Sequence, residues 1–240
     1  MTHLKKIIGF LSSFLFLIPF SHAVTPTYIN WIGGSGSGNG ALSSPFNVGL
    51  DSAGNLYAVD YGNSRIEKFD IYGNYLSQFG SSGSGNGQFN LPYGILITPT
   101  NLYVSEFGGN RIQQFDTSGT YIGQFGSTGT GNGQLKNPEN LALNANNNIA
   151  VADITNNRVQ IFSSTSPYTF QSAITQGYGS TALGQPKGVA VDSNNRLIVN
   201  DTSNNRVQVY TTTDGINYTS SFTFGSSGTG AGQLTSPEGV

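Results

Sequence analysis

Short runs of apolar residues, five to seven positions long and rich in β-branched and aromatic side chains, recur along this chain between clusters of Gly, Asn, Asp and Ser. The stretches "YGILIT" (93–98), "NLYVSE" (101–106), "RIQQFD" (111–116) and "TYIGQF" (120–125) are one such set. Runs of this length and composition predict strands. "DSAGN" (51–55) and "DSNNR" (192–196) supply residues that tolerate the positive φ of tight hairpins. No segment outside the apolar N-terminus sustains a helical period.

The set repeats. Prolines at 45, 92, 138, 186 and 237 are spaced 47, 46, 48 and 51 residues apart. Arginines at 65, 111, 158 and 206 keep spacings of 46, 47 and 48. A glycine-rich stretch precedes four of the prolines: "IGGSGSGNGALSSP" (32–45), "FGSSGSGNGQFNLP" (79–92), "FGSTGTGNGQLKNP" (125–138) and "FGSSGTGAGQLTSP" (224–237). Four antiparallel strands every 45–50 residues predict an all-β fold of propeller blades. Stacked blades bury both faces of each sheet, so a chain with 33 glycines and 9% charged residues can still have a core. Leu56, Val59, Ile66 and Phe69 in the first unit, and Leu102, Val104, Ile112 and Phe115 in the second, are the expected contacts between blades.

"NLYAVDYGNSRIEKFDIYGNYLSQFG", "NLYVSEFGGNRIQQFDTSGTYIGQFG", "IAVADITNNRVQIF" and "PKGVAVDSNNRLIVNDTSNNRVQVY" resemble NHL repeats. The resemblance covers nearly all of the chain after its N-terminus. It implies a six-bladed β-propeller and a binding surface, but no single activity, because the family hosts many. Four full blades are expected, at 33–79, 80–125, 126–174 and 175–224, with the start of a fifth at 225–240. Residues 27–32 read as a leading outer strand and Pro237 as the start of a trailing inner one. The expectation is therefore an incomplete ring, a C-terminally truncated member of a six-bladed family.

Lys5 and Lys6, the apolar run 7–20 and the small residues Ser21 and Ala23 have the order of a secretory signal peptide. This divides the chain into a signal at 1–23 and a propeller at 24–240, secreted or periplasmic, with no membrane span after cleavage. There is no cysteine, so neither a disulfide nor a cysteine-linked lipid is available. Both histidines, His3 and His22, leave with the signal, and 8 basic residues then face 12 acidic ones. That balance lacks the basic footprint of a nucleic-acid binder, so no nucleic-acid partner is expected.

Three groups of residues are candidates for function. The glycine loops read chiefly as crossovers from the rim of one blade to the centre of the next, with a ligand-clasping surface as the alternative. The pairs Asp60/Arg65, Glu106/Arg111, Asp153/Arg158 and Asp201/Arg206 recur in every blade, which favours a structural lock over catalysis. The residues after each proline differ between blades and stand where inner strands begin at the channel mouth. Phe46, Asn47, Tyr93, Glu139, Asn140, Lys187 and Glu238 are therefore the expected ligand-binding positions. No catalytic residue, metal or cofactor is implied. The expected function is binding of a protein, peptide or glycan. The alternative is a secreted hydrolase or lyase, lactonase-like or peptidyl-lyase-like, with catalytic residues mostly in missing blades. Propeller lyases of the resembled family use metal-binding histidines, which this chain lacks after position 22.

Overall fold

The computed structural model describes residues 32–239. The signal segment 1–23 and residues 27–31 of the expected leading strand lie outside the described residues. A short parallel pair, β1 (Gly34–Ser35) and β2 (Ala41–Leu42), comes first. The first blade is β3 (Pro45–Leu50), β4 (Leu56–Asp60), β5 (Arg65–Phe69) and β6 (Tyr75–Phe79). The second is β7 (Pro92–Ile97), β8 (Asn101–Glu106), β9 (Arg111–Asp116) and β10 (Tyr121–Phe125). The third is β11 (Pro138–Leu143), β12 (Asn148–Asp153), β13 (Arg158–Ser163) and β14 (Phe170–Ile174). The fourth is β15 (Pro186–Val191), β16 (Leu197–Asp201), β17 (Arg206–Thr211) and β18 (Thr219–Phe224). Each blade is a four-stranded antiparallel meander in chain order. Among the described residues no helix is long and apolar enough to cross a membrane.

Inner strands pack in chain order, β3 on β7, β7 on β11 and β11 on β15, while β3 does not pack on β15 in this way. The four blades therefore form an open arc. Three apolar cores fill the three spaces between blades. Val59, Ile66, Leu102, Val104 and Phe115 share the first, and Ile112 joins the second. Phe69 is buried as well, whereas Leu56 is only partly buried. The faces at the two ends of the arc stay open: Val48 and Leu50 on β3 are 59% and 64% exposed, and Phe224 on β18 is 53% exposed. Their counterparts between blades, Ile95 and Phe125, are each 6% exposed.

The glycine loops are folded units rather than loose crossovers. Within each, a backbone bridge joins residues seven apart: Ser82 to Phe89, Thr128 to Leu135, and Ser227 to Leu234. β1 and β2 make the same contact in the first loop. The apolar residue at the end of the bridge is a plug. Phe89 and Leu135, with Leu183 of the shorter loop before Pro186, are buried in the three cores. Glycine is required where the plug doubles back. A Cβ on Gly80, at φ +94°, would stand 2.3 Å from the Phe89 ring.

The recurring carboxylate–arginine pairs hold these loops. In the third blade Arg158 donates from Nε to Asp153 Oδ2 at 2.7 Å, and from Nη2 to the carbonyls of Gly131 and Gln134, each at 2.8 Å. Asp153 Oδ1 accepts from the Lys136 backbone N–H at 2.7 Å. Asp60, Glu106 and Asp201 accept in the same way from Ser43, Asn90 and Gly184. These pairs tie strands to loops as well as to each other.

Two further positions complete the lock. Three blades place Asn three residues after the Asp, and Asn63, Asn156 and Asn204 each donate to that carboxylate. The second blade has Glu106 and Gly109 instead, and a Cβ on Gly109 would meet Glu106 Oε2 at 2.6 Å. The longer acid fills the room that asparagine takes elsewhere. Two residues after each Arg, Gln113, Gln160 and Gln208 donate to the carboxylate from Nε2 and accept a loop N–H at Oε1.

The first blade has Glu67 at this position. Its Oε2 accepts from the Gly40 N–H at 3.0 Å. Its buried Oε1 lies 2.7 Å from Arg65 Nη2 but makes no aligned hydrogen bond. Arg65 also serves Asp60, so one cation faces two buried carboxylates. Burial pushes the Glu67 carboxyl above its usual range, Arg65 opposes this, and the Asp60 charge adds to it. A raised acid contributes stability that is present below its unfolded pKa and lost as pH rises through the folded value. Glu67→Gln is therefore expected to stabilise the protein at neutral pH by about 1 kcal/mol, with the gain shrinking in acid. Urea unfolding across pH checks this, and a destabilised Gln variant at neutral pH would count against it.

Candidate functional site

Each inner strand opens with proline opposite the lock carboxylate: Pro45 with Asp60, Pro92 with Glu106, Pro138 with Asp153 and Pro186 with Asp201. The register then shifts before strand pairing resumes at Val48, Ile95, Leu141 and Val189. The displaced residues are those after the prolines. A bulge of this kind releases side chains from the pleat and re-aims them. Here it turns the expected ligand positions toward the mouth of the arc.

All seven expected residues, Phe46, Asn47, Tyr93, Glu139, Asn140, Lys187 and Glu238, line one cavity of about 220 Å³ together with Gly239. The eight lock residues do not line it. The walls are asymmetric. On the side of the first two blades Phe46 packs, with tilted rings, at centroid distances of 4.5 Å from Tyr93 and 4.7 Å from Tyr61. Phe107 lies 6.0 Å beyond Tyr93. On the other side stand Glu139 and a Lys187–Glu238 ion pair. Tyr61 and Phe107 escaped the sequence reading, although both directly follow a lock carboxylate where the later blades carry Ile154 and Thr202.

Glu139 is the most constrained of the set. Its backbone carbonyl accepts from the Ser105 hydroxyl, which also accepts from the Gly94 N–H at 2.8 Å. Gly94 has no side chain because none fits: a Cβ there would stand 2.2 Å from the Glu139 carbonyl oxygen. Asn140 Oδ1 accepts from the Leu141 N–H at 2.8 Å, leaving its amide N–H groups for the cavity. The Glu139 side chain is buried, and burial pushes its carboxyl up to about 7. Lys187 and the nearby Tyr93 hydroxyl pull the other way, and Glu238 adds to the rise. Tyr93 is itself held well above the usual phenol range, first by burial and then by the Glu139 charge.

The same linkage sign applies here as at Glu67. The stability that Glu139 contributes is complete below its unfolded value near 4.5 and is lost as pH rises through about 7. Glu139→Gln is expected to flatten the fall in stability over that window, leaving the variant the more stable protein above it. Thermal unfolding at a series of pH values measures this. Parallel profiles for the two proteins would contradict it. Among the described residues no group of three acidic side chains is close enough to hold a metal ion.

Residues 183–210 match the NHL repeat model. No curated protein matches the chain. Solved structures similar to it include virginiamycin B lyase of Staphylococcus aureus, with TM-score 0.58, 16% identity and coverage of 77% of this chain and 56% of that one. A chain of a nidogen/laminin complex is similar at TM-score 0.53 and 22% identity, covering 70% of this chain and 59% of the other. A putative 6-phosphogluconolactonase of Bacteroides uniformis is similar at TM-score 0.56 and 11% identity, covering 73% and 55%. The chain thus spans little more than half the length of each of these structures. At such identities the likeness concerns the fold. The four-stranded blades and these neighbours show a β-propeller fold, one stretch of which, residues 183–210, matches the NHL repeat.

Proposed function

We propose that this protein is an exported binding propeller whose mouth cavity takes a neutral or zwitterionic segment of a protein, peptide or glycan. The observation that carries this reading is the contrast between repeated and divergent positions. The lock recurs in all four blades, while the residues after the prolines change from blade to blade and meet at one cavity. An aromatic wall offers stacking, and the amides and carboxylates opposite offer hydrogen bonds. Lys187 is already paired with Glu238, so the cavity has little unopposed charge for a polyanion. Export rests on the N-terminal sequence pattern alone.

Peptide and glycan arrays probed with the whole protein test the reading. A ligand found there should lose at least tenfold in affinity with Phe46→Ala and with Lys187→Ala while the circular dichroism spectrum is unchanged. Full affinity in both variants would place the site elsewhere. One observation favours a second reading, a hydrolase or lyase. A carboxyl raised to about 7 beside a phenol has the proton affinity of a general acid–base group. Turnover of lactone or peptidyl substrates that disappears in Glu139→Gln would favour that reading over simple binding.

A further inference from the structure

A second cavity lies at the opposite end of the blades from the mouth. The hairpin 98–101 of the second blade and the loop 164–169 of the third flank a cleft of about 450 Å³. That volume falls within the range of about 300–1,000 Å³ common for small-molecule sites. Every residue lining it belongs to the second or third blade, and each of these packs against a blade on both sides. The cleft is therefore independent of the open faces at the ends of the arc. No charged side chain lines it.

Its floor is a directional relay. The Tyr168 hydroxyl donates to Gln114 Oε1, Gln114 Nε2 donates to the Tyr103 hydroxyl at 3.1 Å, and that hydroxyl donates to the Ser164 carbonyl at 2.7 Å. Fastening the blades does not require it. Between the first two blades the Tyr57 hydroxyl reaches the Thr117 carbonyl at 3.3 Å without a glutamine or a second tyrosine. The strand pair Tyr103–Gln114 corresponds to Ala150–Ile161 in the third blade and Ile198–Val209 in the fourth, where both residues are apolar. Gln114 is only 6% exposed, and the relay leaves it one amide hydrogen to donate. Burial pushes the Tyr103 phenol up to about 12 and raises Tyr168, so the floor stays uncharged at physiological pH. At the rim Ile122, 50% exposed, offers an apolar surface close to the amides of Asn101 and Asn147.

We infer that this cleft binds an uncharged, hydroxyl-bearing ring, such as a sugar residue of a neutral glycan. The Tyr168 ring and Ile122 supply surfaces for the C–H faces of such a ring. The amides and hydroxyls supply donors and acceptors side by side, as vicinal hydroxyls require. An ionic ligand would be desolvated there with no partner of opposite charge.

The whole protein is titrated with glucose, galactose, N-acetylglucosamine and their neutral disaccharides, using saturation-transfer NMR and calorimetry. Glucuronic acid and glucosamine serve as charged counterparts. At least one neutral sugar should bind, and the charged counterparts at least tenfold more weakly. Ile122→Asp, on the exposed rim, and Gln114→Val, the residue of the fourth blade at this position, should each weaken binding at least tenfold in a folded protein. Phe46→Ala at the mouth should leave it unchanged, which separates this site from the one proposed above. The inference is overturned if no neutral sugar binds, if charged sugars bind equally well, or if binding survives both cleft variants. Loss of sugar binding in Phe46→Ala alone would also overturn it, and would move the ligand to the mouth.

Discussion

Arg158→Ala is expected to lower the stability of the folded protein by about 3–5 kcal/mol, and the melting temperature by roughly 10 °C or more. The side chain of Arg158 is 8% exposed and that of Asp153 is fully buried. Removing the guanidinium leaves Asp153 without its counter-charge and takes one of two donors from each of the Gly131 and Gln134 carbonyls. The loop between them and Pro138 carries Leu135 into the core between the second and third blades. Loosening the loop therefore opens an inter-blade core. Arg158→Lys should recover only part of the loss, because an ammonium cannot reproduce the fork that reaches carboxylate and carbonyls together. Urea and thermal unfolding measure both variants. A loss under 1 kcal/mol for Arg158→Ala would mean that the loop is held by other contacts.

Gly94→Ala is expected to destabilise the protein by about 1–3 kcal/mol and to weaken any ligand held at the mouth. The added Cβ would meet backbone, the Glu139 carbonyl oxygen at 2.2 Å, and the Ser105 hydroxyl at 3.0 Å. The nearest neighbour is not the flexible tip of a side chain. The strand β11 must shift, and Glu139 shifts with it. A combined loss of stability and affinity distinguishes this variant from Phe46→Ala, which should affect affinity. Unfolding and binding measurements on the same preparation test it. An unchanged Gly94→Ala protein would show that the close approach of β7 and β11 is not needed.

The repeat made much of this structure legible. Two spaced landmarks, the prolines and the arginines, gave the blade count and placed the strand starts, and the side chains that follow the prolines do share one cavity. The lock was legible as a pair because both members recur at fixed spacing. Its reach into the preceding loop was not, since those hydrogen bonds cross about half a repeat to backbone carbonyls. Two signals could have exposed it: the recurring Gln two residues after three of the arginines, and the Asn or Gly three residues after each acid. The glycine loops read as crossovers because glycine marks freedom in a sequence. The plug residues Phe89 and Leu135 turn that freedom into a tight fold, and their regular place after "GQ" was the missed cue. The Tyr103–Gln114–Tyr168 relay was not legible in the repeat, because Tyr57 and Tyr218 repeat its tyrosines while Gln114, which joins them, occurs once.

The central claim is that the mouth cavity, and not the lock or the loops, selects the ligand. Its most direct measurement is the dissociation constant of one array-selected ligand for the wild-type protein, for the double variant Phe46→Ala/Lys187→Ala, and for Arg158→Lys below its melting temperature. The account predicts a loss of at least tenfold in the double variant and unchanged affinity in Arg158→Lys. Unchanged affinity in the double variant, with binding lost in a folded Arg158→Lys protein, would contradict it.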